Sequence, residues 1–163
     1  EALGKIQIQP GRMRILPGIK HTTIIDDTYN ASPLAMTEAL VALRDLSTDA
    51  KKYAVLGDML ELGDLTASEH KKVGQKAAAS QVNILITVGE RARQIAHAAQ
   101  AAGLAEDHIF EFSETNEAGL FIQERLRPGD IVLVKGSRSM HMERIVKEIM
   151  AEPEQAGELL VHD

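Results

Sequence analysis

The sequence has 163 residues, which is long enough for one domain with a sizeable core and too short for two comfortable ones. Its formal charge of −6 argues against a general nucleic-acid or membrane-surface binder, because such proteins need clustered cations. The sequence contains no cysteine, which excludes a disulfide scaffold and thiolate chemistry, and no segment reaches the roughly 20 apolar residues of a membrane span. We therefore predict a cytoplasmic domain with no nucleic-acid partner and no membrane partner.

Extended, β-branched runs alternate with helical patterns along the chain. The predicted strands are RMRIL (12–16), TTIID (22–26), YAVL (53–56), NILITVG (83–89), HIFEF (108–112) and IVLVKG (131–136). The predicted helices cover residues 32–46, 66–80, 90–103, 113–126 and 139–152. Because parallel strands need helical crossovers, this alternation predicts an α/β fold: a doubly wound, Rossmann-like, mostly parallel sheet of about six strands with helices on both faces.

Three regions are predicted along the chain. Residues 1–20 read as a linker or hinge with an extra strand, residues 21–152 as the Rossmann-like domain, and residues 153–163 as a loosely attached tail. The linker contains residues that commonly interrupt regular structure, namely Pro10, Gly11, Pro17 and Gly18. A hinge needs a few positions that absorb changes in φ and ψ, and this region is the predicted place for them.

Ligands of doubly wound folds collect beyond the carboxyl ends of the strands, so we expect the chemistry there. Acids follow the strands at 22–26 and 53–56, whereas cations follow the last strand. The candidate residues at this rim are Asp26, Asp27, Asn30, Asp58, Glu61, Lys135, Ser137 and Arg138. Such a rim suits an anionic ligand, with or without a metal.

The segment KGSRS (135–139) is the most suggestive basic element. A helix beginning near Ser137 or Ser139 would present unpaired N–H groups and a partial positive charge. Gly136 would let the backbone approach a ligand closely, and the flanking Lys and Arg would supply charge for a carboxylate or phosphate. The alternative is that a serine merely caps the helix and both cations are solvated.

The acidic segments have two interpretations each. Side chains alternate direction along a strand, so only one of Asp26 and Asp27 is expected to face the cleft. The loop GDMLELGD (57–64) is either an ordinary surface loop or a substrate loop that presents Asp58 and Glu61. Two carboxylates alone are a weak signal for Mg²⁺, which usually also takes phosphate oxygens.

The six histidines form no ligand set, and surface positions are expected for them. His141 and Glu143 lie two apart on a predicted helix and are not expected to share a face. We therefore predict no metal site. The sequence also has no G-x-x-x-x-G-K-[ST] phosphate loop and no G-x-G-x-x-G fingerprint, so it lacks the usual means of binding a nucleotide alone.

Four segments, PGRMRIL, IIDDTYNASP, VLGDMLELG and GDIVLVKGSRSMHMERIV, resemble in order and spacing the C-terminal domain of the Mur ligases. DTYNASP and VKGSRSM are similar in particular to the branch that adds D-Ala-D-Ala to UDP-N-acetylmuramoyl-tripeptide. The resemblance implies a peptidoglycan-precursor ligase of three domains that uses ATP and Mg²⁺ to form an acyl phosphate. It implies that N-terminal and central domains hold the UDP group, the ATP phosphates and Mg²⁺. This sequence alone is then expected to be inactive.

The same resemblance implies roles for individual residues. Arg12, Asp27 and Asn30 are expected to face the nucleotide in the closed enzyme. Arg138, together with Lys135 and the backbone at Ser137, is expected to hold the terminal carboxylate of D-Ala-D-Ala.

The residues by themselves also allow two alternative functions. One is a phosphoacceptor receiver domain, whose residue set is imitated by Asp26, Asp27, Asp58, Thr87 and Lys135. Against it, Asp58 follows the second strand of the count rather than the third, and no proline follows Lys135. The other alternative is a non-catalytic nucleotide-binding module.

Overall fold

The computed structural model describes residues 9–162, so the first eight residues of the predicted linker lie outside the described part. The strands are β1 (Arg14–Gly18), β2 (Thr22–Asp27), β3 (Lys52–Gly57), β4 (Ile84–Val88), β5 (Ile109–Phe112) and β6 (Ile131–Lys135). The helices are α1 (Pro33–Asp45), α2 (Thr66–Ala79), α3 (Arg93–Ala101), α4 (Thr115–Arg125), α5 (Glu143–Ile149) and α6 (Ala156–Leu159). No helix in the described range is both long and apolar enough to span a membrane.

The strands form one sheet in the order β1-β2-β6-β3-β4-β5. All neighbouring pairs are parallel except β1 and β2, which are antiparallel. The last strand therefore returns to the middle of the sheet and lies between β2 and β3. Because of this return, the carboxyl ends of β2, β6 and β3 lie side by side, and Asp27 pairs in register with Lys135.

Both faces of the sheet are covered by helices. One face, which includes Ile25, Leu56 and Leu133, packs against residues of α1, α2 and α3. The opposite face packs mainly against α4 and α5. Strands buried on both faces need apolar residues at nearly every position, which explains their continuous aliphatic runs. The predicted doubly wound, mostly parallel sheet is confirmed.

The chain ends differ from the prediction. Pro17 and Gly18 lie inside β1, so they belong to the sheet rather than to a flexible linker. Pro17 is tolerated because β1 is an edge strand and the Pro17 nitrogen faces away from β2, so that no ladder bond to β2 is lost. On this outer side the Pro17 carbonyl accepts the Ala151 N–H at 3.0 Å. The prediction of a loosely attached tail is wrong for residues 153–160, because Leu160 is buried in the core and the Leu159 carbonyl accepts a hydrogen bond from Arg14.

The two glycines at the ends of β3 and β6 are explained by packing. A Cβ on Gly136 would lie 2.7 Å from Cγ of Met142 and 3.2 Å from Cα of Gly57. A Cβ on Gly57 would lie 2.8 Å from Sδ of the same methionine. Gly136 is buried, so it admits the Met142 side chain between two strand ends, and the expected approach to a ligand is not its role.

Replacing Gly136 by alanine should lower the free energy of unfolding by about 1–3 kcal/mol, because overpacking forces Met142 or a strand end to move. Gly157→Ala is the matched control, since a Cβ at Gly157 meets no atom within 4 Å. Gly157 lies in α6, where alanine is favoured over glycine by up to about 1 kcal/mol. Urea unfolding of both variants measures the difference, and equal stability of the two would contradict the packing argument.

Candidate functional site

A buried ion pair lies at the centre of the carboxyl edge of the sheet. Nζ of Lys135 is 2.8 Å from Oδ2 of Asp27 and donates a second hydrogen bond, of 2.9 Å, to the carbonyl of Asn30. Oδ1 of Asp27 accepts the Met13 N–H at 3.1 Å. The two side chains are only 4% and 12% exposed, so the ammonium joins β6 to the loop after β2 rather than projecting into solvent.

Asp26 is fully buried one residue earlier in β2. Its Oδ2 accepts the Gly11 N–H at 3.1 Å, and its Oδ1 accepts the Thr28 hydroxyl at 2.6 Å. The expectation that one of the two adjacent aspartates faces the cleft is wrong, since Asp27 is also buried. Both carboxylates bind backbone N–H groups of residues 11–13 and fix the entering chain against β2.

Burial raises the pKa of Asp26, although the hydrogen bonds from Thr28 and Gly11 oppose the shift. The folded state therefore binds a proton at Asp26 more readily than the unfolded chain, whose aspartate has a pKa of about 3.9. The cost of burying this carboxylate is absent below the unfolded pKa and grows as pH rises through the raised folded pKa.

We expect the free energy of unfolding of the wild type, relative to that of Asp26→Asn, to fall as pH rises from about 4, because asparagine carries no charge to bury. Urea unfolding of both proteins across this pH range is the measurement. Two stability curves that run parallel would contradict the assigned burial cost.

The loop after β3 is tied to the loop after β6 by a pair of hydrogen bonds. The Ser137 N–H donates to the Asp58 carbonyl at 2.9 Å, and the Leu60 N–H donates to Oγ of Ser137 at 2.8 Å. The Asp58 carboxylate is turned away from the cleft, because its Oδ1 accepts the Ala92 N–H at 2.7 Å and its Oδ2 lies 3.5 Å from Nη1 of Arg91. Asp58 therefore holds the start of α3.

The side chain of His70 holds the same loop from the interior of the domain. This histidine is fully buried in α2, so the expectation of a surface position is wrong for it. Its Nε2 accepts the Met59 N–H at 3.0 Å, and its Nδ1 lies 2.7 Å from the Thr66 carbonyl. These partners assign the neutral tautomer with the proton on Nδ1. The exposed Glu61 follows at the tip of the loop, with a left-handed φ of 63°.

The predicted helix beginning at Ser137 or Ser139 does not form. Arg138–Met140 is a single 3₁₀ turn, His141 is left-handed with a φ of 52°, and α5 begins only at Glu143. The expected run of unpaired N–H groups at a helix start is therefore absent at Ser137, whose N–H is bound to Asp58. The chain is held at two points, by the hydrogen bonds of Ser137 and by the buried Met142 side chain. These two anchors favour the irregular connection.

The irregular turn creates contacts that a helix would not allow. Nη1 of Arg138 lies 3.4 Å from both carboxylate oxygens of Glu143. Nδ1 of His141 lies 3.2 Å from Oε1 of the same glutamate, although the two residues were not expected to share a face. Sequence reasoning missed Glu143 and His70 because both contacts depend on the loop path.

A cleft of about 460 Å³ opens above these loops. Its lining residues are Asn30, Leu60, Glu61, Ser137, Arg138, Ser139 and His141. The cleft thus has a carboxylate on one loop and a guanidinium on the other. Clefts of about 510 and 740 Å³ lie between α4 and α5 and at the amino ends of β3, β4 and β5, and neither contains a candidate residue of the rim.

Four of the eight residues assigned to binding roles line this cleft, namely Asn30, Glu61, Ser137 and Arg138. Asp27 and Lys135 do not line it, because they are buried against each other. Arg12 is exposed, with its guanidinium 4.1 Å from the centre of the exposed Tyr29 ring. No group of three or more His, Asp or Glu residues within 9–162 could hold a metal ion.

The doubly wound sheet, with a polar cleft at its carboxyl edge, defines the chain as an α/β domain of the Rossmann-like class. Residues 11–138 match the family described as Mur ligase, glutamate ligase domain. The chain belongs to the Mur ligase family. This membership makes the receiver alternative wrong, and the geometry agrees, because the carboxylates of Asp26 and Asp58 are buried and hydrogen-bonded.

A curated relative from Bacillus subtilis (strain 168) is named UDP-N-acetylmuramoyl-tripeptide–D-alanyl-D-alanine ligase. It is 32% identical over 153 residues, which cover 94% of this chain and 33% of the relative. Two similar solved structures are the MurF ligase from Thermotoga maritima in complex with ADP and MurF from Acinetobacter baumannii. The first has a TM-score of 0.75 at 28% identity and covers 94% of this chain and 33% of that one.

The Acinetobacter structure also has a TM-score of 0.75, at 30% identity, and covers 87% of this chain and 31% of that one. The chain therefore spans about a third of the length of the relatives that it matches.

Proposed function

We propose that the chain is the C-terminal, substrate-closing domain of a cytoplasmic ATP-dependent ligase that adds D-Ala-D-Ala to UDP-N-acetylmuramoyl-tripeptide in peptidoglycan precursor synthesis. The observation that carries this proposal is the 32% identity, over 94% of the chain, to a relative of that name. In the proposed reaction ATP phosphorylates the terminal carboxylate of the tripeptide. The amine of D-Ala-D-Ala then attacks the acyl phosphate, and phosphate leaves.

Within residues 9–162 the chain offers no complete site for Mg²⁺ or for the ATP phosphates, although single residues can contact a nucleotide that is bound elsewhere. The described range holds no cluster of three potential metal ligands, and the sequence has no phosphate loop. We therefore assign the triphosphate, Mg²⁺ and the UDP group to N-terminal and central domains of the proposed ligase. The isolated 163 residues should have neither ligase nor ATPase activity.

The cleft is proposed to bind D-Ala-D-Ala, with Arg138 at the terminal carboxylate. The guanidinium lies at the cleft wall and is held by Glu143, so its position is fixed before a ligand arrives. Arg suits this role because its planar fork matches a carboxylate. Lys135 and Ser137 act indirectly here, since their polar groups bind Asp27, Asn30 and the loop at Leu60.

The nucleotide is proposed to meet this chain beside the cleft. Arg12 and Tyr29 form an exposed cation–aromatic pair, which suits a phosphate and a planar base. Asn30 lies next to them at the cleft wall. Asp27 contributes by binding the Met13 N–H, which fixes the backbone that carries Arg12.

The test is to purify the complete gene product that carries these residues and to supply ATP, Mg²⁺, UDP-N-acetylmuramoyl-tripeptide and D-Ala-D-Ala. The proposal expects ADP release that depends on the tripeptide and a product of pentapeptide mass. Nucleotide binding with no amide product would support the binding-module alternative instead. ATP turnover by residues 1–163 alone would contradict the assignment of the phosphate site to other domains.

A further inference from the structure

The acids around the cleft differ in whether they have a cationic partner. Asp27 is paired with Lys135, Asp58 with Arg91, and Glu143 with Arg138. Within residues 9–162, Glu61 forms no ion pair, and it is exposed at the cleft wall. Among the described residues that line the cleft, Glu61 is thus a carboxylate with no cationic partner, and the other loop of the cleft carries a guanidinium.

The backbone conformation at Glu61 is strained. Its φ of 63° is in the left-handed region, which L-residues other than Gly, Asn and Asp rarely adopt. The two residues before it are anchored, because the Met59 N–H is bound to His70 and the Leu60 N–H to Ser137. Strained positions that the surrounding structure enforces are concentrated at functional sites.

The ligand proposed for this cleft has matching charges. A dipeptide carries a carboxylate at one end and an amino group at the other, and Arg138 is assigned to the carboxylate. The remaining charged group on the opposite loop is Glu61, whose sign suits the amino end. An acceptor dipeptide held at both ends would bind in one orientation, with its nucleophilic nitrogen at the loop after β3.

We propose that Glu61 binds the amino end of the acceptor dipeptide and stabilises the positive charge that develops on its nitrogen during attack. This inference rests on the proposed function. The ammonium first loses one proton to water, which leaves a neutral amine. The nitrogen then forms a bond to the acyl carbon and becomes positively charged, and the bond from that carbon to the phosphate oxygen breaks. Phosphate leaves with the electron pair, and one proton passes from nitrogen to the Glu61 carboxylate and then to water.

The first experiment compares Glu61→Gln with Asp64→Asn in the complete ligase. Asp64 is an exposed acid in the same loop that does not line the cleft, so its variant is the matched control. Glu61→Gln should lower kcat for amide formation about 10²-fold, because the carboxylate acts on charge that develops in the transition state. Hydroxylamine trapping of the acyl phosphate from ATP and tripeptide should be unchanged in both variants.

The outcomes separate the two levels of proposal. If the wild type forms no amide with D-Ala-D-Ala, the proposed function fails. If the wild type is active and Glu61→Gln matches Asp64→Asn in kcat and in KM for the dipeptide, the role of Glu61 is overturned. Loss of acyl phosphate trapping in Glu61→Gln would also overturn it, because the defect would then precede attack by the amine.

A second measurement uses propionyl-D-Ala, which lacks the amino group, as a competitive inhibitor. The wild type should bind D-Ala-D-Ala more tightly than this analogue, and Glu61→Gln should lose about tenfold of that preference or more. Glu61→Gln should bind the analogue itself as well as the wild type does. An undiminished preference in the variant would overturn the proposal.

Discussion

Replacing Arg138 by alanine in the complete ligase should raise KM for D-Ala-D-Ala by roughly 10- to 150-fold, with little change in KM for ATP. The estimate follows from about 1.5–3 kcal/mol for a charge-assisted hydrogen bond in a partly closed cleft. Arg138 lines this cleft, whereas the exposed Arg12 lies beside it on Tyr29. Steady-state kinetics with each substrate varied in turn is the measurement.

A substrate analogue isolates the contact. D-Ala-D-Ala amide lacks the terminal charge. The KM of the wild type for this amide should therefore be raised about as much as the KM of Arg138→Ala for D-Ala-D-Ala. In Arg138→Ala, changing the substrate from D-Ala-D-Ala to its amide should raise KM little further, because the contact between the guanidinium and the carboxylate is already absent. Arg138→Lys should recover only part of the loss, since an ammonium lacks the fork geometry. Equal increases in KM for ATP and for the dipeptide would contradict this role.

Lys135→Met should lower the free energy of unfolding by about 3–5 kcal/mol. The substitution leaves the Asp27 carboxylate buried without its cation, and removing one partner of a buried pair is strongly destabilising. Asp27→Asn should also destabilise, because the buried ammonium then keeps only the Asn30 carbonyl. The double variant Asp27→Asn/Lys135→Met should lose less free energy of unfolding than the sum of the losses in the two single variants.

The surface pair Lys72–Glu69 is the matched control for this prediction. Its nitrogen–oxygen distance of 3.0 Å is close to that of the buried pair, but the Lys72 side chain is 66% exposed. Lys72→Met should change the free energy of unfolding by no more than about 0.5 kcal/mol. Urea unfolding of all four variants provides the comparison, and additive effects of the Asp27 and Lys135 changes would contradict a coupled pair.

The regular elements could be predicted because their signals are local. Continuous aliphatic runs predicted the parallel strands, and Ser32 before Pro33 marked the start of α1, where Oγ of Ser32 accepts the Ala35 N–H. The predicted strands from β2 to β6 agree with the structure to within two residues at each end. The predicted helix at 139–152 deviates most, since α5 covers only Glu143–Ile149. Its late start depends on the anchor points at Ser137 and Met142, which contact other strands.

The candidate site could be predicted only as a set of strand ends. The sequence placed Asn30, Glu61, Ser137 and Arg138 at the carboxyl edge, and the structure places them around one cleft. Glu143, which holds Arg138, was missed because its contact requires the break at His141.

By itself, the sequence determined the α/β class, the family resemblance and the edge of the sheet at which to look, since these follow from periodicity, turn residues and motif order. Only the tertiary structure decided which charges are available. The return of β6 between β2 and β3 places Lys135 beside Asp27, where each neutralises the other in a buried environment. Neighbours distant in the chain therefore decide which charged side chains stay accessible to a ligand.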